Sequence, residues 1–374
     1  MKILFLCGSS EPGKDGVGDY TRRLCGELIR NGHQAQILSL CDKQAAVFKT
    51  QTHLTEEIAV TVRRIPVATN YKQRLTWTQE VLRQEEPDCI SLQFVPYSFN
   101  PKGIPFWLPN FLNKLKGAHQ WQVMFHELWI GMDIHASFKS RFFGFLQQKI
   151  VLKVLENLED SVINTQTNLY EQKIANLGYS AKLLPLFSNI SNSSLIDAVA
   201  VKENINEIRF ALFGGIHFGA PVQLFIKALK IELKKSKIGS AKFIFIGNCG
   251  DAMQEWTSIL DSEKIEYEVS GYCTDQEISK LFLNCDYGIS TTPYLLIQKS
   301  GSIAALLEHQ LPVLCVARKW EAAQFDENKF CELINISDFQ KVDIHTFFNK
   351  KIDVKKVNTV SSTANRFLEG LNKG

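Results

Sequence analysis

From Ile3 to Cys7 the chain carries five apolar residues in succession, and the run ends at Gly8-Ser9-Ser10-Glu11-Pro12. A short apolar run bounded by turn residues predicts a strand buried on both faces, too brief for a signal-peptide core. Taken from Lys2 to Cys7, the strand is followed by a glycine-rich loop from Gly8 to Gly18 and a helical pattern from Asp19 to Asn31. Gly32 then stops the helix, and a second strand is expected from Gln34 to Leu40. Strand, loop, helix and strand in that order predict a βαβ unit.

More apolar runs ending in polar turns, at Val60 to Ile65, Cys89 to Phe94, Gln122 to Phe125 and Ser161 to Asn164, extend the pattern. A parallel sheet covered by helices accommodates them most economically. Around Pro185 to Asn206 the chain turns polar and turn-rich, after which the βα alternation restarts. Strands are expected at Ile208 to Phe213, Lys242 to Ile246, Tyr267 to Val269, Tyr287 to Ser290 and Val313 to Val316. Helices are expected at Pro221 to Lys235, Ala252 to Ser262, Asp275 to Asn284, Ser302 to His309 and Val360 to Leu371.

These patterns divide the 374 residues into an α/β domain over 1–188, a linker over 189–206, a second α/β domain over 207–355 and a final helix within 356–374 that packs back on the first domain. The expected class is α/β, two Rossmann-like doubly wound parallel-sheet domains facing a central cleft where ligands bind.

Composition narrows the function classes. Apolar residues at 45% and charged ones at 22% exclude general disorder. Lys and Arg number 42 against 39 Asp and Glu, and the resulting net charge of +3 gives no sign of a nucleic-acid partner. No run approaches the roughly 20 apolar residues of a membrane span. Cysteines at 7, 25, 41, 89, 249, 273, 285, 315 and 331 form no Cys-x-x-Cys pair. An odd count without a recognisable secretory segment leads us to expect a reduced cytoplasmic chain. Two segments, 104–116 and 138–149, mix large apolar side chains with Lys and Arg. They suit either the buried faces of amphipathic helices or peripheral contact with the inner face of a membrane.

Four groups of residues carry candidate chemistry. Gly16, Gly18 and Asp19 belong to the loop that joins the first strand to the first helix, where N–H groups and the helix dipole meet an anion or a sugar hydroxyl. The same residues also make an ordinary tight turn with Asp19 as a cap. The loop is neither a dinucleotide fingerprint nor a Walker A motif, since Thr21 stands at the third glycine position and Lys14 precedes the paired glycines. His126 and Glu127 lie just past the carboxyl end of a strand, the ligand-facing edge of such a sheet. There the imidazole could bind a hydroxyl or move a proton and the carboxylate could orient it, or His126 could be a satisfied core residue.

Lys299, Ser300, Gly301 and Ser302 join a cation, hydroxyls and a glycine to a helix N-terminus, a set that suits phosphate oxygens without a metal. An ordinary N-cap is the alternative. Gly215 and His217 sit in Gly214-Gly215-Ile216-His217 after the first strand of the second half, where a ligand can approach the backbone. No His or Cys spacing suggests a metal site, and no Gly-x-Ser-x-Gly elbow occurs.

The opening strand with Gly16-Val17-Gly18-Asp19-Tyr20-Thr21-Arg22-Arg23-Leu24 and Gly32-His33 resembles the amino-terminal signature of GT-B glycosyltransferases of the glycosyltransferase 4 type. The stretches Gly271 to Ile278, Cys285 to Ser290 and Gln310-Leu311-Pro312-Val313 are similar to that family's donor half. The resemblance runs from Lys2 to about Val316. It implies a nucleotide diphosphate sugar as donor substrate, with no cofactor, and transfer to a hydroxyl acceptor that is a glycan, lipid-linked or a small molecule. It further implies the Gly16 to Asp19 loop beside the diphosphate and the acceptor, His126 on the donor sugar, and Tyr272 near the base.

Two features depart from the family. Its paired Glu positions, counted back from Pro312, hold Ile297 and Ala305, and Gly215 stands near the place of its usual Arg. Diphosphate neutralisation would then fall on Lys299 and the helix starting at Ser302. The expected activity is metal-independent glycosyl transfer in polysaccharide biosynthesis. A sugar-nucleotide epimerase on the same fold and a non-catalytic GT-B relative serving as a partner or scaffold are the alternatives.

Overall fold

The computed structural model describes residues 1–190, 206–236, 238–326, 335–349, 353 and 357–372. The linker expected over 189–206 lies outside the described residues apart from its ends, as does Cys331. Two compact units emerge, one of Met1–Pro185, Glu321–Phe330 and Val360–Gly374, the other of Leu186–Trp320 and Cys331–Thr359.

The first unit is built on β1 (Lys2–Cys7), β2 (Gln34–Asp42), β3 (Lys49–Thr55), β4 (Ile58–Pro66), β5 (Cys89–Phe94), β6 (Gln120–Phe125), β7 (Val162–Thr165) and β8 (Lys182–Leu183), in the sheet order β3-β4-β2-β1-β5-β6-β7-β8. β1 lies between β2 and β5, with Ile3 beside both Ala35 and Cys89. Its unbroken apolar run is what a strand covered on both faces requires. The fully parallel sheet expected from sequence needs one correction, because β3 pairs with β4 antiparallel, Thr55 opposite Ile58. β3 is an edge strand, and its alternating exposure reflects a single covered face.

Helices α1 (Gly16–Arg30), α2 (Tyr71–Glu85), α3 (Pro96–Phe99), α4 (Trp107–Asn113), α5 (Phe138–Asn157) and α6 (Asn168–Ala175) connect these strands. α1 begins three residues earlier than its apolar spacing predicts, because Asp15 rather than Asp19 caps it by accepting from the Gly18 N–H at 2.8 Å. Within 104–116, α4 turns Leu108, Pro109, Phe111 and Leu112 into the core. That segment therefore takes the buried-helix alternative, with Phe106 alone among its large apolar residues exposed.

The second unit contains β9 (Glu207–Phe213), β10 (Ser240–Ile246), β11 (Glu266–Gly271), β12 (Tyr287–Ser290), β13 (Val313–Cys315) and β14 (Ile336–Asp338), all parallel, in the order β11-β10-β9-β12-β13-β14. Alternation along β9 and β10 sends Phe210 and Phe243 to one core with Phe225 and Trp256, and Ala211 and Ile244 to the other with Phe282, Ala305 and Leu306. Helices α7 (Val222–Ser236), α8 (Met253–Ser262), α9 (Asp275–Leu283), α10 (Gly301–Glu308) and α11 (Ile344–Phe348) cover the two faces. A 3-10 helix, Tyr294–Lys299, leads into α10.

The last helix, α12 (Val360–Asn372), belongs to the first unit. Phe367 packs on Phe5 of β1 with ring centroids 5.8 Å apart, and Gln120 Nε2 donates to the Leu371 carbonyl at 2.7 Å. No described helix is long and apolar enough to cross a membrane.

Candidate functional site

In the first sheet the strand order reverses direction beside β1, and the β1–α1 connection leaves from its carboxyl end. Ser10 holds this connection to β2, its N–H donating to Asp42 at 3.1 Å, while Arg64 of β4 donates to both Asp42 oxygens at 2.9 and 2.7 Å. Gly18 lets α1 sit against the connection, since a Cβ there would come within 2.7 Å of the Ser9 carbonyl oxygen. Asp19 closes the loop from the other side, accepting from the Gly13 N–H at 2.9 Å and pairing with Arg22. The first turn of α1 thus already faces a carboxylate, Asp15, bonded to the N–H groups of Gly18 and Val17 and raised in pKa by its burial. The N–H groups of Gly18 and Val17 are therefore already taken by Asp15.

His126 follows β6 and is buried at 4% exposure, its ring edge-on to Tyr20 at 4.8 Å. Both ring nitrogens are engaged. Gln166 Nε2 donates to His126 Nδ1 at 3.0 Å, and His126 Nε2 donates to Gln93 Oε1 at 2.8 Å. The chain continues from Gln93 Nε2 to Ser91 Oγ at 2.7 Å, from Ser91 Oγ to Gln122 Oε1 at 2.5 Å, and from Gln122 Nε2 to Asn164 Oδ1 at 2.9 Å. Asn164 Nδ2 ends it at the Lys182 carbonyl, 3.2 Å away. Every donor meets an acceptor in one direction across β5, β6, β7 and β8, which fixes the neutral Nε2–H tautomer of His126.

Burial pulls the His126 pKa down to about 3. Both ring nitrogens of His126 thus have partners inside the protein, the arrangement of the satisfied core residue given above as the alternative. Glu127, the next residue, is half-buried.

The second sheet reverses its strand order between β9 and β12, the place where doubly wound sheets open a crevice. A concavity lies there, lined by Gly214, Gly215 and Ile216 after β9, by Thr291 and Thr292 after β12, and by Ser302 of α10. Ser300 is the N-cap of α10, its hydroxyl accepting from the Ile303 N–H at 3.4 Å. The N–H groups of Gly301 and Ser302 are in the first turn, where a helix supplies no acceptor of its own, and they carry its positive dipole end.

The His217 N–H donates to Thr291 Oγ1 at 2.8 Å, tying the two pocket loops together. Partial desolvation, then the charges of Lys299 and Arg318, lower the His217 pKa. Two cations therefore act on His217, the residue after Ile216 of the pocket lining.

Of the residues singled out in this unit, Gly215 and Ser302 line the pocket, Ser300 and Gly301 form the start of its helix, and Lys299 and His217 flank it. Tyr272 is not brought to it. That ring is 95% exposed beyond β11, two strands away from β9. Arg318 escaped notice in the sequence, although Arg318-Lys319 directly after an apolar strand was a usable signal. Ile297 and Ala305, in place of the family's paired Glu, are buried at 1% and 0% in an apolar core. Among the described residues no three His, Cys, Asp or Glu side chains converge as a metal site.

No protein-family model matches the chain, and no curated protein matches its sequence. Its fold is similar to that of a glycosyltransferase from Rickettsia africae, at 13% identity over 100% of this chain and 98% of that one, with a TM-score of 0.61. It is similar also to HepE from Anabaena in complex with UDP and glucose, at 16% identity, 100% and 97% coverage and a TM-score of 0.55. A structure from Listeria monocytogenes described as a UDP-N-acetylglucosamine 2-epimerase matches at 10% identity, 100% and 96% coverage and 0.55. The chain has the GT-B fold, two Rossmann-like α/β units, the first on a sheet parallel except for β3 and the second on a parallel sheet.

Proposed function

We propose that the protein transfers a sugar from a nucleotide diphosphate sugar to a hydroxyl acceptor, with the diphosphate held at the β9–β12 pocket. The observation that carries this reading is the meeting of a helix N-terminus and glycine backbone at the switch point of the second sheet, beside His217, whose pKa the charges of Lys299 and Arg318 help to lower. A departing nucleoside diphosphate gains negative charge as the glycosidic bond breaks. Fixed N–H dipoles of Gly301 and Ser302 with the charges of Lys299 and Arg318 stabilise that charge, and no protein-held metal is required. GT-B structures that bear UDP support a nucleotide as the occupant.

In this reading Lys299 and Arg318 contact the leaving group, His217 and Thr291 keep the pocket loops in register, and His126 is a positioning residue at the end of β6. Glu127 is the remaining candidate for accepting the acceptor's proton. The test is transfer from radiolabelled nucleotide sugars to mixed glycan and lipid-linked acceptors, with and without EDTA. Transfer that survives chelation supports the reading, whereas nucleotide binding without transfer to any acceptor favours the non-catalytic alternative. The epimerase-like neighbour gives a second reading, which predicts conversion of a nucleotide sugar to its epimer with no acceptor added.

A further inference from the structure

α5 has two differently used sides. Ile150, Val151, Val154 and Leu155 are buried in the first unit, and the Ile130 N–H donates to Gln147 Oε1 at 2.8 Å, fastening the preceding loop along the helix. Phe138, Phe142 and Phe145, at i, i+4 and i+7, form one outward stripe and are 87%, 52% and 52% exposed. Lys149 continues the stripe, its ammonium 5.4 Å from the Phe145 ring centroid. Ile130 and Ile134 are exposed on the adjoining loop, and Arg141 donates to the Ile134 carbonyl. From Phe138 to Leu155 the helix contains Lys139, Arg141, Lys149 and Lys153 and no acidic residue, the first being Glu156.

We propose that this face docks on the surface of an anionic bilayer, with Phe138, Phe142 and Phe145 entering the headgroup region and Lys139, Arg141 and Lys149 pairing with lipid phosphates. Aromatic rings on one helix face, flanked by cations, match the polarity step of that interface. A second copy of the chain fits less well. At 150–250 Å² per ring the exposed phenylalanine surface is on the order of 400 Å², about half of what each partner of a stable dimer contributes. A symmetric contact would also oppose lysines to lysines without the carboxylates needed to offset them.

The experiment is co-sedimentation of the full chain with vesicles of phosphatidylcholine alone or mixed with phosphatidylglycerol, at low and high salt. Binding to the mixed vesicles that weakens with salt is expected. It should fall at least about tenfold both in Phe138→Ser/Phe142→Ser/Phe145→Ser and in Lys139→Glu/Lys149→Glu. Because these side chains are exposed, circular dichroism melts should stay unchanged. Absence of binding by the wild-type chain, or equal binding by the variants, would overturn the proposal. So would a concentration-dependent dimer in sedimentation velocity that the triple Phe variant abolishes.

Discussion

Gly214 and Ser302 approach so closely that a Cβ on the glycine would lie 2.8 Å from the serine hydroxyl oxygen, and Gly214 holds a φ of +74°. The glycine brings the end of β9 against the first turn of α10 and leaves the pocket open between them. Gly214→Ala is expected to cost about 1–2 kcal/mol of stability from its left-handed backbone and to weaken nucleoside diphosphate binding at least about tenfold. Adding Ser302→Gly relieves the side-chain crowding but not the backbone strain. The double variant should therefore recover part of the binding while remaining as unstable, as read by calorimetric titration beside denaturant melts.

His217 reports what enters the pocket. Partial desolvation and the charges of Lys299 and Arg318 keep its pKa below the ordinary histidine value. A bound diphosphate offsets those charges and raises the pKa, so binding takes up protons and affinity rises as pH falls through the histidine range. Titration calorimetry in buffers of different ionisation enthalpy measures the uptake. His217→Asn should lower it by a measurable fraction of a proton, and an unchanged value would move the phosphates away from this residue.

The buried His126 makes a separate prediction about acid stability. Its pKa is about 3 in the folded protein, whereas an unfolded histidine titrates near 6.5. Above that value both states are unprotonated there and the site contributes no pH dependence. As pH falls further the unfolded chain binds a proton that the folded chain refuses, so stability is lost, by roughly 1.4 kcal/mol per pH unit until the folded value is reached. Denaturant melts of wild type and His126→Gln should diverge with this slope between about pH 6 and pH 4. Parallel profiles would show that the ring is protonated in the native state.

The βα alternation was legible because the central strands of both sheets are largely apolar runs, as covered parallel strands tend to be, even where β5 and β6 carry Ser91, Gln93 and Gln122. β3 was not. Its residues alternate in exposure, and its turn to β4 is Glu56-Glu57, with φ of 47° and 68°, rather than the Asn-Gly pair that announces such a turn. Glu56 is retained by Arg23, whose guanidinium pairs with it at 2.6 Å. Glu57→Gly should therefore raise stability by about 1 kcal/mol by relieving a left-handed residue. A melt that is unchanged or lower would mean that Glu57 has compensating contacts.

The candidate site divides in the same way. Gly214 to His217 and Lys299 to Ser302 were readable because each falls where a strand ends or a helix begins. The capping role of Asp15 depended on where α1 starts, which apolar spacing alone placed at Asp19. Gln93 and Gln166 gave no signal, because glutamine in a strand or loop becomes informative only when another strand brings His126 between them. Arg318 and Lys299 lie 19 positions apart in sequence, and their joint effect on His217 is a product of the fold.

The most direct measurement is thermal stabilisation of the purified chain by a panel of nucleoside diphosphates and nucleotide sugars, repeated in Lys299→Ala and Arg318→Ala. A ligand at 100 times its dissociation constant adds about 2.7 kcal/mol. Loss of one charge-assisted contact should weaken binding at least about tenfold in each variant. The account predicts a rise in Tm with nucleotides of one base, reduced in both variants. No shift with any nucleotide in the folded wild type, or equal shifts in wild type and both variants, would contradict it.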